Sequence, residues 1–276
     1  MMKAIVNTAV CPLYNAPTRE CTVEDEALYG MVVDVLEEKA PGWAAIRTHY
    51  RYEGVVSQEE LLMGDDVAEA WEKLPKMVVR SKNCCDVLDK PKVQGVHLAH
   101  LVRGCVIAVE GEPQDGWQQV RLADGRTGYV MAGILAPYHT APVSGDENIL
   151  RSALAEAALL YKGTHYRWGG KSPLGVDCSG LVAMAYMLCG ILIYRDANIV
   201  EGFPIREIPR EDMKKGDLLF FPGHVAMYLG DGLYCHSTAH AGDDGFTLNS
   251  LDPASPIYRE DLANGIAQVG SYFTKG

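Results

Sequence analysis

The sequence predicts an α+β protein in which two small β-barrels precede a larger domain of helices and antiparallel strands. Three observations support this: the first half repeats itself at an offset of 74 residues, a linker-like segment follows at 136–148, and two helical patterns then precede three strand patterns. Helices followed by a run of strands are typical of an α+β layout. The predicted boundaries are 1–74 and 75–140 for the barrels and 148–276 for the last domain.

The internal repeat carries the prediction for the first half. Its coincidences are Cys11 with Cys85, Gly30 with Gly104, Gly42 with Gly116, Trp43 with Trp117, Gly54 with Gly128, Val56 with Val130 and Leu61 with Leu135. Repeats of this kind take precedence in interpreting a fold. In each copy, short strand patterns such as "MVVDVLEE" and "CVIAVEGE" alternate with turn residues. Each copy is therefore predicted to be a small, partly open β-barrel.

The remaining chain begins with two predicted helices. Ser144 and Glu147 have the spacing of a capping box before an apolar pattern at helical spacing, and Gly163 is a stop signal. The stretch "LVAMAYMLCG" is apolar on nearly every side, which indicates a buried central helix. Strand patterns follow in "DLLFF", "HVAMYL" and "LYCHS".

Charge and composition exclude some partners. The formal net charge of −11 argues against nucleic acid and against an anionic membrane, both of which attract basic surfaces. The eight cysteines show no Cys-x-x-Cys spacing, so we expect a reducing compartment and no metal. The N-terminus is too polar for a secretory leader and no stretch has membrane-spanning length, so the expected location is the cytoplasm.

The candidate nucleophile is Cys178, in the stretch "GVDCSGLVAMAY". Asp177 is a good N-cap residue, which places Cys178 at the first helical position, where free backbone N–H groups favour a thiolate. The same N–H groups suit a developing oxyanion. A buried packing role for the cysteine is the alternative.

A cysteine nucleophile needs a base, and the segment "GHVAMYLGDGLYCHS" contains two histidines on a predicted hairpin. A two-residue turn at Asp231 and Gly232 would place His224 and His236 on opposite faces. A three-residue loop or an equivalent bulge pairs residue 236 with residue 226, which makes the two histidines diagonal neighbours on one face. We expect the second arrangement, in which His236 orients His224.

These residues closely resemble the NlpC/p60 peptidases. The segments that carry the resemblance are "YRWGG", "GVDCSGLV", "KKGDLLFF", "GHVAMYLGDG" and "YCHS", within about residues 148–276. The resemblance implies a papain-like fold with Cys178 as nucleophile, His224 as base and His236 as orienting residue. The paired barrels resemble bacterial SH3-like domains.

The whole arrangement is similar to the γ-D-glutamyl-L-diamino acid endopeptidases of cell-wall recycling. The implied substrate is a murein peptide with a free N-terminal L-Ala, cleaved between D-Glu and L-Lys or diaminopimelate without a cofactor. The resemblance implies substrate contacts for Tyr166, Asp177, Ser179 and Arg195, although Tyr194 replaces the proline that usually precedes this arginine. A carboxylate at Asp177 is suited to a substrate ammonium.

The first barrel is expected to contribute an acidic residue and a tyrosine. Glu20 and Tyr52 are the nearest matches to the family pattern, with Glu24 and Tyr50 as alternatives. Other functions stay open: a secreted wall hydrolase, an inactive binding protein, or a lipid-directed acyltransferase. The sequence leaves the oligomeric state and the choice of diamino acid undetermined.

Overall fold

The structure is a computed structural model that describes residues 2–273, and the chain forms two compact units, Met1–Tyr138 and His139–Gly276. The first unit contains both copies of the repeat. The second contains both sequence-predicted helices and all three strand patterns, so the α+β prediction is confirmed for this unit.

The first copy of the repeat forms a seven-stranded antiparallel sheet followed by a short helix. Its elements are β1 (Met2–Val6), β2 (Val10–Tyr14), β3 (Val23–Leu28), β4 (Val32–Ala40), β5 (Trp43–Thr48), β6 (Glu53–Ser57), β7 (Leu61–Met63) and α1 (Asp65–Glu72). The strands pair in the order β3-β2-β6-β5-β4-β1-β7.

The second copy forms a second seven-stranded sheet. Its strands are β8 (Lys76–Val79), β9 (Cys84–Leu88), β10 (His97–Val102), β11 (Val106–Gln114), β12 (Trp117–Arg121), β13 (Thr127–Met131) and β14 (Leu135–Pro137). They pair in the order β10-β9-β13-β12-β11-β8-β14, which is the order of the first sheet. The repeat inferred from the sequence is thus a repeat of structure. In both sheets the first and last strands of the pairing order are not paired with each other. Within residues 2–138 the strands therefore form open sheets and not closed barrels.

Matched glycines explain part of the repeat. A β-carbon at Gly54 would lie 2.8 Å from the Leu13 side chain, and one at Gly128 would lie 2.6 Å from Val87, the residue equivalent to Leu13. Gly30, at φ +80°, leaves no room for a side chain, since a β-carbon there would lie 2.0 Å from the Val106 carbonyl oxygen. Gly30 therefore allows the two sheets to approach each other, where the Val106 N–H donates to the Tyr29 carbonyl.

The second unit places two helices against a six-stranded antiparallel sheet. Its elements are α2 (Glu147–Leu159), β15 (Lys171–Ser172), β16 (Gly175–Val176), α3 (Cys178–Met187), β17 (Arg206–Ile208), β18 (Leu218–Phe221), β19 (His224–Gly230), β20 (Leu233–Thr238), β21 (Gly245–Ser250), α4 (Glu260–Gly265) and β22 (Gln268–Ser271). The large sheet has the order β17-β22-β18-β19-β20-β21, and β15 pairs with β16 in a small separate hairpin.

The N-cap predicted for α2 is wrong. Asp146 caps the helix, with one carboxylate oxygen accepting from the N–H groups of Asn148 and Ile149 at 2.8 and 3.0 Å. The hydroxyl of Ser144 instead accepts from the Asp146 N–H at 3.0 Å. Aspartate caps as well as serine does, and here it stands directly before the first helical residue.

Helix α3 is the central helix that its apolar pattern predicts. Its residues 178–186 are all buried, and the helix packs on β19 and β20 of the large sheet. No helix within the described part of the chain is both long enough and apolar enough to cross a membrane.

Candidate active site

The first turn of α3 places Cys178 beside the start of β19 in the large sheet. Asp177 is the N-cap residue, and its Oδ1 accepts from the Gly180 N–H at 2.5 Å, as the sequence predicts. The Cys178 sulfur accepts hydrogen bonds from the N–H groups of Ser179 and Val225. Since Val225 follows His224 on β19, this contact brings the thiol next to the predicted base.

Gly180 is required by close packing of the same turn. A β-carbon at this position would lie 2.1 Å from the carbonyl oxygen of Gly170. The same oxygen accepts a hydrogen bond from the Asp177 N–H at 3.1 Å. The glycines of the "RWGG" and "DCSG" segments therefore let two stretches of backbone meet beside the thiol.

Arg195 and Asp177 form a buried ion pair under the site. The guanidinium donates from Nη1 to Asp177 Oδ1 at 3.1 Å and from Nη2 to Oδ2 at 3.0 Å. The same Nη1 donates to the Ser179 hydroxyl at 2.7 Å. The structure thus brings together three of the predicted pocket residues. In this arrangement the Asp177 carboxylate serves as helix cap and arginine partner, and its predicted pairing with a substrate ammonium stays a prediction.

The two histidines lie on one face of the sheet, as predicted. Gly230 pairs with Leu233, which leaves a two-residue turn, and a bulge at Leu229 shifts the register so that Met227 pairs with Cys235. Such a bulge is the alternative to a three-residue loop, and it gives the same expected register. It allows His224 Nε2 and His236 Nδ1 to form a hydrogen bond of 2.8 Å.

A further residue, Asn249, completes this row of polar groups. His236 Nε2 lies 2.8 Å from Asn249 Oδ1, and the Asn249 amide nitrogen donates to the Ile257 carbonyl at 3.0 Å. Asn249 was not predicted from the sequence, because an asparagine in a polar segment is typical of turns. Only the pairing of β20 with β21 places it beside His236.

Burial controls the protonation of the thiol. It raises the pKa of Cys178 to about 11, and the negative charge of Asp177 adds to this rise. The N–H groups of Ser179 and Val225 act in the opposite direction but are outweighed. The N–H groups at the helix start thus act in the direction that the sequence predicts, but burial outweighs them and keeps the pKa of the thiol above 7.

Burial has the complementary effect on the histidines. It lowers the pKa of His224 to about 4, and the nearby His236 and Arg259 lower it further. Burial also lowers the pKa of His236, although the hydrogen bond to Asn249 opposes the change. Both imidazoles are thus neutral at pH 7, so His224 has a free lone pair with which to accept a proton.

Tyr166 lies close to the same groups. Its backbone forms a parallel bridge with Val176, and its N–H donates to the Asp244 carboxylate at 3.4 Å. Burial raises the pKa of its hydroxyl to about 12, with smaller contributions from Cys178 and Asp177. Tyr166 therefore belongs to the surroundings of the thiol, and its predicted contact with substrate stays a prediction.

The residues predicted in the first unit lie in different settings. Glu20 is exposed, whereas Tyr52 is half-buried and lines a groove together with Glu24, the alternative acidic residue. The alternative tyrosine, Tyr50, is buried and its hydroxyl donates to Asp25 at 2.5 Å. These placements describe the first unit alone, so the substrate contacts of Glu20 and Tyr52 stay predictions.

Within residues 2–273, no group of three or more histidine, cysteine or acidic side chains has an arrangement suited to a metal ion. The polar row of Cys178, His224, His236 and Asn249 instead has the parts needed for nucleophilic catalysis: a thiol, an uncharged imidazole and groups that orient the imidazole.

A cysteine at a helix start, packed against a histidine-bearing antiparallel sheet, is the arrangement that the resemblance implies. Residues 163–252 match the NlpC/P60 family. The chain belongs to the NlpC/P60 family, a family of cysteine peptidases.

The relatives extend the match beyond residues 163–252. The chain is 44% identical over 275 residues to "Dipeptidyl-peptidase 6" of Lysinibacillus sphaericus, covering 99% of this chain and 100% of that protein. It is 24% identical over 236 residues to "Gamma-D-glutamyl-L-lysine dipeptidyl-peptidase" of Bacillus cereus, covering 78% of this chain and 67% of the relative. The crystal structure of an NlpC/P60 family protein from Bacillus cereus has the same fold, with a TM-score of 0.77 at 20% identity over 98% of this chain and 99% of that one.

Proposed function

We propose that this protein is a cysteine endopeptidase that cleaves the γ-D-glutamyl-L-diamino acid bond of murein peptides with a free N-terminal L-Ala. The observation that carries the proposal is the row formed by Cys178, His224 and His236, in which His224 bonds to His236 at 2.8 Å while the thiol accepts from the adjacent Val225 N–H. The two relatives named above supply the substrate class, because both are named dipeptidyl-peptidases and the second is named for γ-D-glutamyl-L-lysine.

The first chemical stage is acylation. The neutral His224 takes the Cys178 proton as the sulfur attacks the γ-carbonyl carbon of D-Glu, since the raised thiol pKa requires a general base. Backbone N–H groups at the start of α3, including that of Cys178, stabilise the oxyanion. His224 then returns the proton to the leaving amine, and the C–N bond breaks to give a thioester.

The second stage is hydrolysis of the thioester. His224 takes a proton from water, the hydroxide attacks the acyl carbon, and the Cys178 sulfur leaves and recovers its proton. The product is L-Ala-D-Glu with a free γ-carboxylate. Tyr166, Ser179 and the Arg195–Asp177 pair form the wall beside the thiol, and we assign substrate positioning to this wall.

The proposal also covers the role of the first unit and the cellular location of the reaction. The shared strand order of the two sheets supports assigning both to the bacterial SH3-like class. Contacts of Glu20 and Tyr52 with the substrate amine are part of the proposal by resemblance alone. Recycling of small wall-derived peptides in the cytoplasm is the corresponding physiological role. A murein-derived peptide is the proposed partner, with neither nucleic acid nor membrane involved.

Peptide cleavage tests the proposal. The purified protein is incubated with L-Ala-γ-D-Glu-L-Lys, its diaminopimelate analogue and both N-acetylated forms, and products are measured by mass spectrometry. We expect release of the diamino acid from the free-amine peptides only, and none with the Cys178→Ala variant. Equal cleavage of the acetylated peptides would instead support a hydrolase of intact wall, and absence of all cleavage would contradict the proposed activity.

A further inference from the structure

Both ring nitrogens of His236 are engaged inside the protein. Nδ1 faces His224 Nε2 and Nε2 faces Asn249 Oδ1, each at 2.8 Å. His236 is 0% exposed and Asn249 is 5% exposed, so water does not compete for these contacts. The proton positions in the row are therefore determined by the protein groups at its end.

The end of the row is the carbonyl of Ile257. This oxygen accepts from the Ser250 backbone N–H at 3.0 Å and from Asn249 Nδ2 at 3.0 Å. A carbonyl can only accept hydrogen bonds, so the amide nitrogen of Asn249 must face it. The amide oxygen of Asn249 consequently faces His236.

The orientation of Asn249 determines the tautomer of each histidine in turn. Because Asn249 Oδ1 is an acceptor, His236 carries its proton on Nε2 and presents a lone pair at Nδ1. That lone pair requires a proton on His224 Nε2. His224 Nδ1 then holds the free lone pair that can take the Cys178 proton.

We propose that Asn249 is a positioning residue that holds His236 and His224 in their Nε2–H tautomers and so keeps His224 Nδ1 free to act as the base. The proposal rests on the assigned roles of Cys178 and His224 in the proposed function. It adds a fourth side chain that touches neither substrate nor thiol but determines which nitrogen of the base is free.

Replacing Asn249 by leucine should shift both histidines to the opposite tautomer. In the variant, a proton on His236 Nε2 would be buried against an apolar side chain without an acceptor, which is unfavourable. Moving that proton to Nδ1 lets His236 donate to His224 Nε2, and His224 must then carry its own proton on Nδ1. The base would thus be protonated at the atom that should receive the thiol proton.

Nitrogen NMR of the histidine rings tests this without any substrate. The protein is labelled with 15N-histidine and carries Cys178→Ala, so that no thiolate can charge His224, and long-range 1H–15N spectra at pH 7 report which ring nitrogen bears hydrogen. We expect the Nε2–H pattern for both histidines. An Nδ1–H pattern for His236 in this protein would by itself overturn the proposal, even if every Asn249 variant failed to fold.

The variants extend the test in the same background. Asn249→Leu should convert His224 to the Nδ1–H form, whereas Asn249→Asp retains an acceptor and should preserve the Nε2–H form. Ser250→Ala is the matched control, because Ser250 is the next buried residue of β21 and its hydroxyl accepts from the Asp252 N–H. An unchanged His224 tautomer in folded Asn249→Leu protein would overturn the proposal.

Peptide cleavage completes the test with Cys178 restored. We expect Asn249→Leu to lower kcat about 100-fold or more with little change in KM, since holding the base in the wrong tautomer costs on the order of 10⁴-fold in kcat in a serine protease triad. Asn249→Asp should recover most of the rate. A normal kcat in Asn249→Leu would contradict the positioning role. If the NMR result holds but the native protein cleaves none of the peptides, the proposed function fails and the tautomer assignment stands.

Discussion

At the scale of single residues, protonation is controlled by burial more than by the helix start. The Cys178 thiol gains hydrogen bonds from two backbone N–H groups, yet its pKa is raised to about 11 because the sulfur is buried beside the Asp177 carboxylate. His224 has a pKa lowered to about 4 by the same cause. The two groups are therefore both neutral at rest, and in the proposed mechanism the proton moves between them when the sulfur attacks.

This protonation state predicts the pH dependence of cleavage. The proposed base loses its lone pair only when His224 is protonated, so kcat/KM should fall on the acid side with a midpoint near pH 4. An ordinary histidine would place the midpoint near pH 6.5. The acid side of the profile is measured from initial rates between pH 3.5 and 7, at substrate concentrations that span on the order of tenfold. A midpoint close to pH 6.5 would contradict the neutral-imidazole account.

The buried Arg195–Asp177 pair predicts a large loss of stability when one partner is removed. Arg195→Leu leaves the Asp177 carboxylate buried without its guanidinium, and breaking such a pair costs about 3–5 kcal/mol. Urea unfolding followed by circular dichroism measures the change. Arg47→Leu is the control, because the Arg47–Glu53 pair is exposed and contributes less than about 1 kcal/mol. Equal effects in the two variants would contradict the structural role of Arg195.

At the scale of elements, the first turn of α3 depends on a glycine at position 180. Alanine normally stabilises a helix interior relative to glycine by about 1 kcal/mol. Here a β-carbon would lie 2.1 Å from the Gly170 carbonyl oxygen, so Gly180→Ala should destabilise the protein by about 1–3 kcal/mol and lower cleavage.

The control for this change is Gly145→Ala. A β-carbon at Gly145 meets no atom within 4 Å, so the free energy of unfolding should change by less than about 0.5 kcal/mol. Thermal unfolding of both variants distinguishes the two sites. A stabilised Gly180→Ala protein would show that the close backbone contact beside the thiol is absent in solution.

The elements also show which parts of the fold could be predicted. Asp177 predicts the start of α3, because an N-cap is a local feature that can be recognised from a few consecutive residues. The sequence allows two turns between β19 and β20 and favours the register that pairs residue 236 with residue 226, and the structure reaches this register through a bulge at Leu229. Asn249 could not be found at all, because its role depends on the pairing of β21 with β20.

At the scale of the whole molecule, the repeat was the most predictable feature. Matching glycines 74 residues apart have matching settings, since Gly42 and Gly116 both have a positive φ and Gly54 and Gly128 both lie against a side chain. Both sheets also have the same strand order. A sheet closes into a barrel only when its two edge strands pair with each other. A repeat in the sequence does not determine that long-range pairing. The pairing observed within each sheet is open.

The folded state as a whole should lose stability in acid through His224. Its pKa is about 4 when folded, against 6.5 for an unperturbed histidine, so between these values the unfolded chain binds more protons and stability falls as the pH falls. The loss should approach about 3 kcal/mol at pH 4 and be complete below it. Urea unfolding at pH 7 and pH 4 should therefore show a smaller pH effect in His224→Gln than in the native protein. Equal pH effects would contradict the buried, neutral state of His224.

The central claim is that Cys178 forms a thioester with the L-Ala-γ-D-Glu part of the substrate. The most direct measurement is mass spectrometry of the intact protein, quenched in acid during turnover of L-Ala-γ-D-Glu-L-Lys and then digested to locate the adduct. We predict an added L-Ala-D-Glu acyl group on the peptide containing Cys178, with no adduct and no turnover in Cys178→Ala protein. Continued turnover in Cys178→Ala protein, or an adduct on another residue, would contradict this claim.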